Sequence, residues 1–240
     1  METISVVTIV GEEQEYIECC VRSALRIADE VILVLDSKSR DGTKEIITSL
    51  MLMDERIKVY MRIWTQGSDQ KHFAMKQATK DWILFLDGDE VLSDEAPTLI
   101  RKALENNTEE FDSFKLRGHH FSPQGISWED ASVPEHYWEG RFIKNTPDLF
   151  FERGKQHALL QGYKKVGTIS ETVVLHYGYC KNLQRIMDRF NENMFGPSKL
   201  QIHNPDFLMQ WKNSHILGTY PWKPCSIDIH PRIIREKFGV

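Results

Sequence analysis

The sequence predicts an α/β fold, a mainly parallel sheet flanked by helices on both faces. Three observations carry that expectation. Apolar runs alternate with helix-periodic segments about every 20–25 residues through the first half, the spacing of strand–crossover–strand units. The runs are continuous rather than alternating, as in strands buried on both faces. Polar residues gather at their C-terminal ends, in Val10–Glu13, Asp36–Thr43 and Asp87–Glu90, where open α/β sheets place their ligand crevice.

ISVVTIV, Ile4–Val10, reads as the first strand. Ile17, Cys20, Val21, Ala24 and Leu25 then form one apolar helix face. EVILVLD, Glu30–Asp36, is a second buried strand, and the turn SKSRDG leads into a helix bearing Ile46, Ile47 and Leu50. IKVYMR is a third strand. Ser68 or Asp69 caps a short helix running through Lys80, and DWILFLD, Asp81–Asp87, is a fourth strand. Ser93 is placed to cap a helix carrying Leu99, Ile100, Ala103 and Leu104. From about Phe111 the pattern breaks into the short strands FDSFKL, RFIKN and TVVLHY, then a helix over Leu183–Met194. Five of nine prolines (Pro197, Pro205, Pro221, Pro224 and Pro231) fall near the C-terminus, which disfavours long regular elements there. The expected organisation is residues 1–110 as one half of a domain, 111–195 as its irregular second half, and 196–240 as a Pro-rich extension.

The 240 residues suffice for a full hydrophobic core, and 41% hydrophobic with 27% charged residues excludes disordered and fibrous classes. A formal net charge of −5 without a basic run argues against nucleic acid as a partner. Cys19, Cys20, Cys180 and Cys225 match neither a disulfide framework nor zinc-ligand spacing, so the thiols point to a reducing compartment. The start lacks the basic region of a signal peptide, and no apolar run approaches the ~20 residues of a membrane span. A cytoplasmic chain, at most peripherally attached to a membrane, is expected.

Chemistry concentrates in two stretches. DGDE, Asp87–Glu90, closes a buried strand with carboxylates flanking one residue, so both can face one crevice and share a divalent cation such as Mg2+ or Mn2+. A polar turn is the plainer reading of the same residues. DSKSRDGT, Asp36–Thr43, supplies a tight turn at Asp41-Gly42 and a helix start at Thr43, and an ordinary connection explains these three. It does not explain an acid at position 36, whose carboxylate could bond a base or ribose.

Together ISVVTIVGEEQEYIECCVRSAL, DEVILVLDSKSRDGTKEII and DQKHFAMKQATKDWILFLDGDEVLS resemble family 2 glycosyltransferases, over about residues 3–105. That resemblance implies the Rossmann-like GT-A fold, a nucleotide-sugar donor of the UDP type, a hydroxyl acceptor such as a glycan, and a divalent metal. It also implies that Thr8 and Val10 line the nucleotide pocket, Asp36 contacts the base and Lys71 faces the diphosphate. Asp87 and Asp89 would hold ribose and metal. LHYGYCKNLQRIMDRF resembles a segment of the bacterial surface-polysaccharide and lipopolysaccharide-core type, which would bring His176 to the metal and diphosphate. The plainer reading of His176 is a satisfied histidine in an apolar strand.

The chain departs from that family in two places. Gly11 stands where relatives carry Asn, and Ala158 in KQHALL stands where inverting members carry an acid. His157 and Glu139 are the substitutes for the acceptor base; Glu129-Asp130 also forms an acid pair, but lies before RFIKN. Trp128, Tyr137, Trp138, Phe142, Phe150 and Phe151 read as core, with Trp128 or Trp138 as candidate sugar-stacking platforms. The sequence therefore points to a metal-dependent, inverting glycosyltransferase. Its rival is a non-catalytic binding module of the same fold, favoured by Ala158 and Gly11. A haloacid-type phosphatase or a nucleotidylyltransferase fails for want of its first-strand motif.

Overall fold

The computed structural model describes residues 2–107, 109–121, 129–131, 137–152, 159–178, 180–181, 222–224 and 226–239. The first half follows the expected alternation: β1 (Ile4–Val10), α1 (Ile17–Ala24), β2 (Glu30–Asp36), α2 (Thr43–Met53), β3 (Ile57–Arg62), α3 (Gly67–Lys76) and β4 (Trp82–Phe85). The remaining strands include β5 (Glu90–Leu92), β6 (Ser113–His120), β8 (Tyr137–Lys144) and β11 (Val166–His176), with α4 (Ala96–Asn107) between β5 and β6. These join one eight-stranded sheet in the order β3-β2-β1-β4-β8-β6-β11-β5. The pairs β3–β2, β2–β1, β1–β4 and β6–β11 are parallel, whereas β4–β8, β8–β6 and β11–β5 are antiparallel. Strands β7 (Glu129–Ala131) and β12 (Trp222–Pro224) pair apart from it, as do β9 (Phe150–Phe151) and β10 (Leu160–Gln161).

Strand periodicity sorts the core into two layers. Ile4, Val6 and Val10 of β1 pack with Val31, Leu33 and Leu35 of β2 on the face covered by α1, α2 and α4. Val7, Ile32, Val34, Ile83 and Phe85 pack with Ala74 and Met75 of α3 on the other. The first layer also holds Phe114, Phe142 and Val174, so residues of the second half share one core with the first. Trp82 is fully buried there, its ring centroid 5.0 Å from that of Phe142 and 5.7 Å from that of Phe114.

Four local expectations are corrected. Helix α3 begins at Gly67 behind Gln66, without a side-chain cap, and stops at Lys76. Long-range bonds pull the chain out of the helix: the amide and hydroxyl of Thr79 donate to Glu30, and the amide of Lys80 donates to Ser5 Oγ. Ser93 does not cap α4 with its side chain; its hydroxyl donates to the Thr172 carbonyl of β11 at 2.8 Å. β4 is shorter than Asp81–Asp87, because the Asp81 carboxylate turns to Thr3 and the Asp87 amide to Glu90. The strands of the second half are longer than FDSFKL, RFIKN and TVVLHY, β11 reaching 11 residues with register shifts around Thr172. The expected helix over Leu183–Met194 lies outside the described residues, as do Trp128, His157 and Ala158.

The connection from β4 to β5 dictates the shape of the sheet. These strands stand four places apart in the order, about 19 Å across a flat sheet. The five steps from Phe85 to Glu90 reach only ~17 Å when extended, and here they hold a turn, with the Glu90 amide donating to the Asp87 carbonyl. The sheet therefore curls until its β5 edge returns beside β4. Behind that edge, α5 (Arg232–Phe238, the last helix described) seats Ile234 against Tyr16, Phe121, Leu175 and Tyr177. Among the described residues no helix is long and apolar enough to cross a membrane.

At the opposite, N-terminal ends of the strands, buried Glu30 accepts from Lys58 Nζ at 2.6 Å and from Ser5 Oγ at 2.6 Å, besides Thr79. Burial pushes its pKa up, but those donors outweigh burial and hold it at about 2. The folded value lies below the unfolded one, so the stabilisation is full above about pH 4.5 and is lost as pH falls towards 2. Glu30→Gln is expected to cost about 3 kcal/mol at pH 7 and to flatten the acid limb of stability. Urea titrations at pH 7 and pH 3 check this; an unchanged acid limb would refute it.

Candidate active site

The β4–β5 turn carries Asp87, Gly88, Asp89 and Glu90 to the C-terminal ends of the parallel strands. One register aligns its neighbours: His176 of β11 pairs with Glu90 of β5 on one side and with His120 of β6 on the other. The amide of Tyr177 then donates to the Asp89 carbonyl at 2.9 Å, fastening the end of β11 to the turn.

Asp87 lies between two cations, Lys71 Nζ of α3 at 3.0 Å and Arg141 of β8 at 3.1 Å. Burial pushes its carboxyl up, but these two cations outweigh that and hold it well below the usual carboxylate range. Glu90, 2% exposed, takes both arms of the Arg141 guanidinium at 2.9 and 3.1 Å. Burial nevertheless raises its pKa to about 7, with the charge of Asp87 adding to the rise. Asp89 is 5% exposed, with Oδ2 at 2.6 Å from Lys181 Nζ and Oδ1 at 3.6 Å from His176 Nε2. The same ammonium reaches Glu13 Oε2, in the loop after β1, at 2.5 Å. His176 Nδ1 lies 2.8 Å from His120 Nδ1, and burial lowers the His176 pKa, favouring the neutral imidazole that a metal ligand requires.

Gly178 is required by close packing. A Cβ there would stand 2.5 Å from His176 Nε2 and 3.0 Å from Asp89 Oδ2. Asp89 Oδ1 and His176 Nε2 fit a divalent cation as two neighbouring ligands, since such pairs stand ~3 Å apart around an octahedral ion. Among the described residues no three His, Cys, Asp or Glu side chains converge as a ligand set. The remaining positions would fall to ligand oxygens and water, and Asp87 is turned to Lys71 and Arg141.

A family model described as "Glycosyl transferase family 2" matches residues 5–165, more than half of the chain. The chain belongs to glycosyl transferase family 2. Among curated relatives of this family 2 member, a TPR repeat-containing protein of Synechococcus elongatus is 30% identical over 75% of this chain and 43% of its own length. The lipopolysaccharide core biosynthesis glycosyltransferase LpsC of Rhizobium meliloti is 32% identical over 37% of this chain and 32% of its own. The family 2 chain thus spans less than half the length of these relatives. Among solved structures, residues 1–349 of S. aureus TarS in complex with UDP superpose with a TM-score of 0.52 at 16% identity, over 89% of this chain and 71% of that one. That likeness establishes a shared glycosyltransferase fold.

Of the residues singled out from the sequence, Lys71, Asp87, Asp89 and His176 come together in the family 2 chain. Asp36 ends β2 as expected, and its Oδ1 accepts from the amides of Lys38 and Trp64 at 3.1 and 3.2 Å. Val10 and Thr8 are 0% and 1% exposed, so neither side chain lines a crevice. They lie on the β1 face that packs against α1, where Val10 joins the core and Thr8 bonds Cys20. Glu139 is half-exposed, paired with Lys115 Nζ at 3.1 Å and accepting from the Tyr163 hydroxyl at 3.4 Å, rather than bonded into the carboxylate cluster. Gly140 beside it has φ 68°, which breaks the strand alternation between Glu139 and Arg141. Trp138 is half-buried against the first core layer, its ring 5.2 Å from that of His120. Sequence reasoning missed Arg141 and Lys181. The available signals were an arginine inside an apolar strand and a lysine five residues after His176.

Proposed function

We propose that this family 2 protein transfers a sugar from a UDP-sugar to a hydroxyl of a glycan or similar acceptor, with inversion and with Mg2+ or Mn2+. The observation that carries the reading is the convergence of Asp87, Asp89, Lys71 and His176 at the strand ends. In it, Asp36 bonds the base and Asp87 the ribose, while Lys71 and Arg141 face the diphosphate. Asp89 and His176 would hold the cation, which supplies Lewis-acid stabilisation of the leaving diphosphate. UDP is taken as the nucleotide because TarS, which shares the fold, was solved with it. The buried Cys19 and Cys20 thiols suit a cytoplasmic setting.

The acceptor base is assigned to His157 or Glu139. The pairing of Glu139 with Lys115, which occupies its carboxylate, favours His157. The same pairing, with Gly11 and Ala158, also supports a second reading as a nucleotide-sugar-binding module without turnover.

Titration calorimetry with UDP, in Mn2+ and in chelator, tests the proposal. Binding is expected to be at least about tenfold tighter with metal, given a cation that shares the diphosphate charge. Equal affinity in both would sink the metal-dependent reading. UDP binding without hydrolysis or transfer from any UDP-sugar would establish the binding module.

A further inference from the structure

Lys181 is a lysine with only 4% of its side chain exposed, and it is paired with two buried carboxylates. Its ammonium joins three segments far apart in sequence: Glu13 after β1, Asp89 after β4, and its own segment after β11. Burying such a group is costly, and an apolar residue packs a core more cheaply. The placement therefore calls for an electrostatic account.

Asp89 Oδ2 is held by the ammonium, while Oδ1 faces His176 Nε2. Any cation seated between Asp89 and His176 would share its carboxylate with a fixed positive charge a few ångströms away. Close packing holds the two carboxylates that grip the ammonium. A Cβ on Gly88 would stand 2.9 Å from Glu13 Cγ, and one on Gly178 would stand 3.0 Å from Asp89 Oδ2. The local formal sum of Glu13, Asp89 and Lys181 is a single negative charge, weak attraction for a dication. Lys71 and Arg141 are matched by Asp87 and Glu90, so that neighbouring group adds no net charge to the sum.

We infer that Lys181 is a resident counter-cation of Asp89, a positioning residue that keeps divalent-metal affinity low until a nucleoside diphosphate brings further negative charge to the site. Metal and nucleotide then bind interdependently, each raising the affinity of the other by the same factor. The inference rests on the assignment of Asp89 and His176 to the metal made above, and it adds a residue that sets when the metal binds.

Mn2+ alone, titrated against the full chain and followed by the electron paramagnetic resonance signal of free Mn2+, reads this directly. Lys181→Met is expected to bind Mn2+ at least about tenfold more tightly than the parent, as a repelling charge is removed from low-dielectric surroundings. Lys181→Arg, which keeps the charge, should bind as weakly as the parent. Lys181→Met leaves two carboxylates facing each other, and it could fail to fold for that reason. The double variant Glu13→Gln with Lys181→Met restores the parent's local formal charge and still frees Asp89, so it should also bind Mn2+ more tightly. UDP should enhance Mn2+ binding strongly in the parent and less in Lys181→Met. If both Met-containing variants bind Mn2+ no better than the parent, or if Lys181→Arg binds as tightly as Lys181→Met, the inference is overturned. UDP binding to the parent, measured alongside, separates the two failures. Intact UDP binding with unchanged Mn2+ titrations overturns the role of Lys181 alone, whereas no UDP binding overturns the nucleotide-sugar reading beneath it.

Discussion

Replacing Asp89 by Asn is expected to lower turnover at least about 10³-fold and to erase the dependence of UDP binding on metal. Asn keeps the volume of the buried side chain, and the backbone bond from Tyr177 to the residue-89 carbonyl needs no carboxylate. The fold should survive for an electrostatic reason. In the parent one ammonium serves Glu13 and Asp89, so the variant leaves Lys181 and Glu13 as a balanced pair. The charge lost is therefore the one facing His176, and the deficit should appear in ligand binding and rate rather than in unfolding. Calorimetry in Mn2+ and chelator, with a donor-hydrolysis assay and a thermal melt, checks all three. A variant with full turnover and the parent's metal response would remove Asp89 from the metal site.

Arg141→Met should be the most destabilising single change near the site, at about 3–5 kcal/mol, the usual cost of removing one partner from a buried ion pair. The guanidinium is 16% exposed and bridges Glu90, which is 2% exposed, to Asp87. Lys71 remains for Asp87, but Glu90 loses its cation and keeps the Asp87 amide. The sign of the pH dependence follows from Glu90. Its folded pKa of about 7 lies above the unfolded value, so its contribution is full below about pH 4.5 and is lost as pH rises through 7. Without Arg141 that loss deepens, and the variant should tolerate pH 5 better than pH 8. Arg141→Lys should rescue little, because a point charge cannot fill both carboxylate oxygens. Urea unfolding at both pH values decides the matter. Losses under about 1 kcal/mol would show that the pair contributes little, and equal losses at the two would refute the role of Glu90 in the pH dependence.

Local signals in the sequence sufficed for strands β1, β2 and β3, whose bounds fall where the apolar runs begin and end. They failed where distant groups intervene. Nothing within α3 announces that Thr79 will turn to Glu30, so the helix reads four residues too long. β11 was seen only as TVVLHY because its register shifts blur the alternation upstream of Thr172. In the candidate site, Asp87 and Asp89 were visible through motif and strand-end position, and Lys71 only through the family resemblance. Arg141 was not, because its meeting with Asp87 depends on β8 pairing antiparallel to β4, a contact no local pattern encodes. Thr8 and Val10 came from the family resemblance alone, and periodicity along β1 puts their side chains on the core face.

The curl of the sheet also orders events in time. By the end of α4 a growing chain has made Glu13, Asp87, Asp89 and Glu90, with Lys71 as the one cation of the cluster yet present. Arg141 and Lys181 emerge much later, and β5 has no neighbour in the sheet until β11 exists. A ribosome-bound first half would therefore carry four crowded carboxylates and an unpaired strand, with most of their compensation still unsynthesised. Closing such long sequence separations is slow. In pulsed hydrogen exchange during refolding, the Tyr177 amide should become protected after those of β1 and β2, and simultaneous protection would contradict this order. The acidic turn is thus among the first parts of the site to be made and among the last to settle.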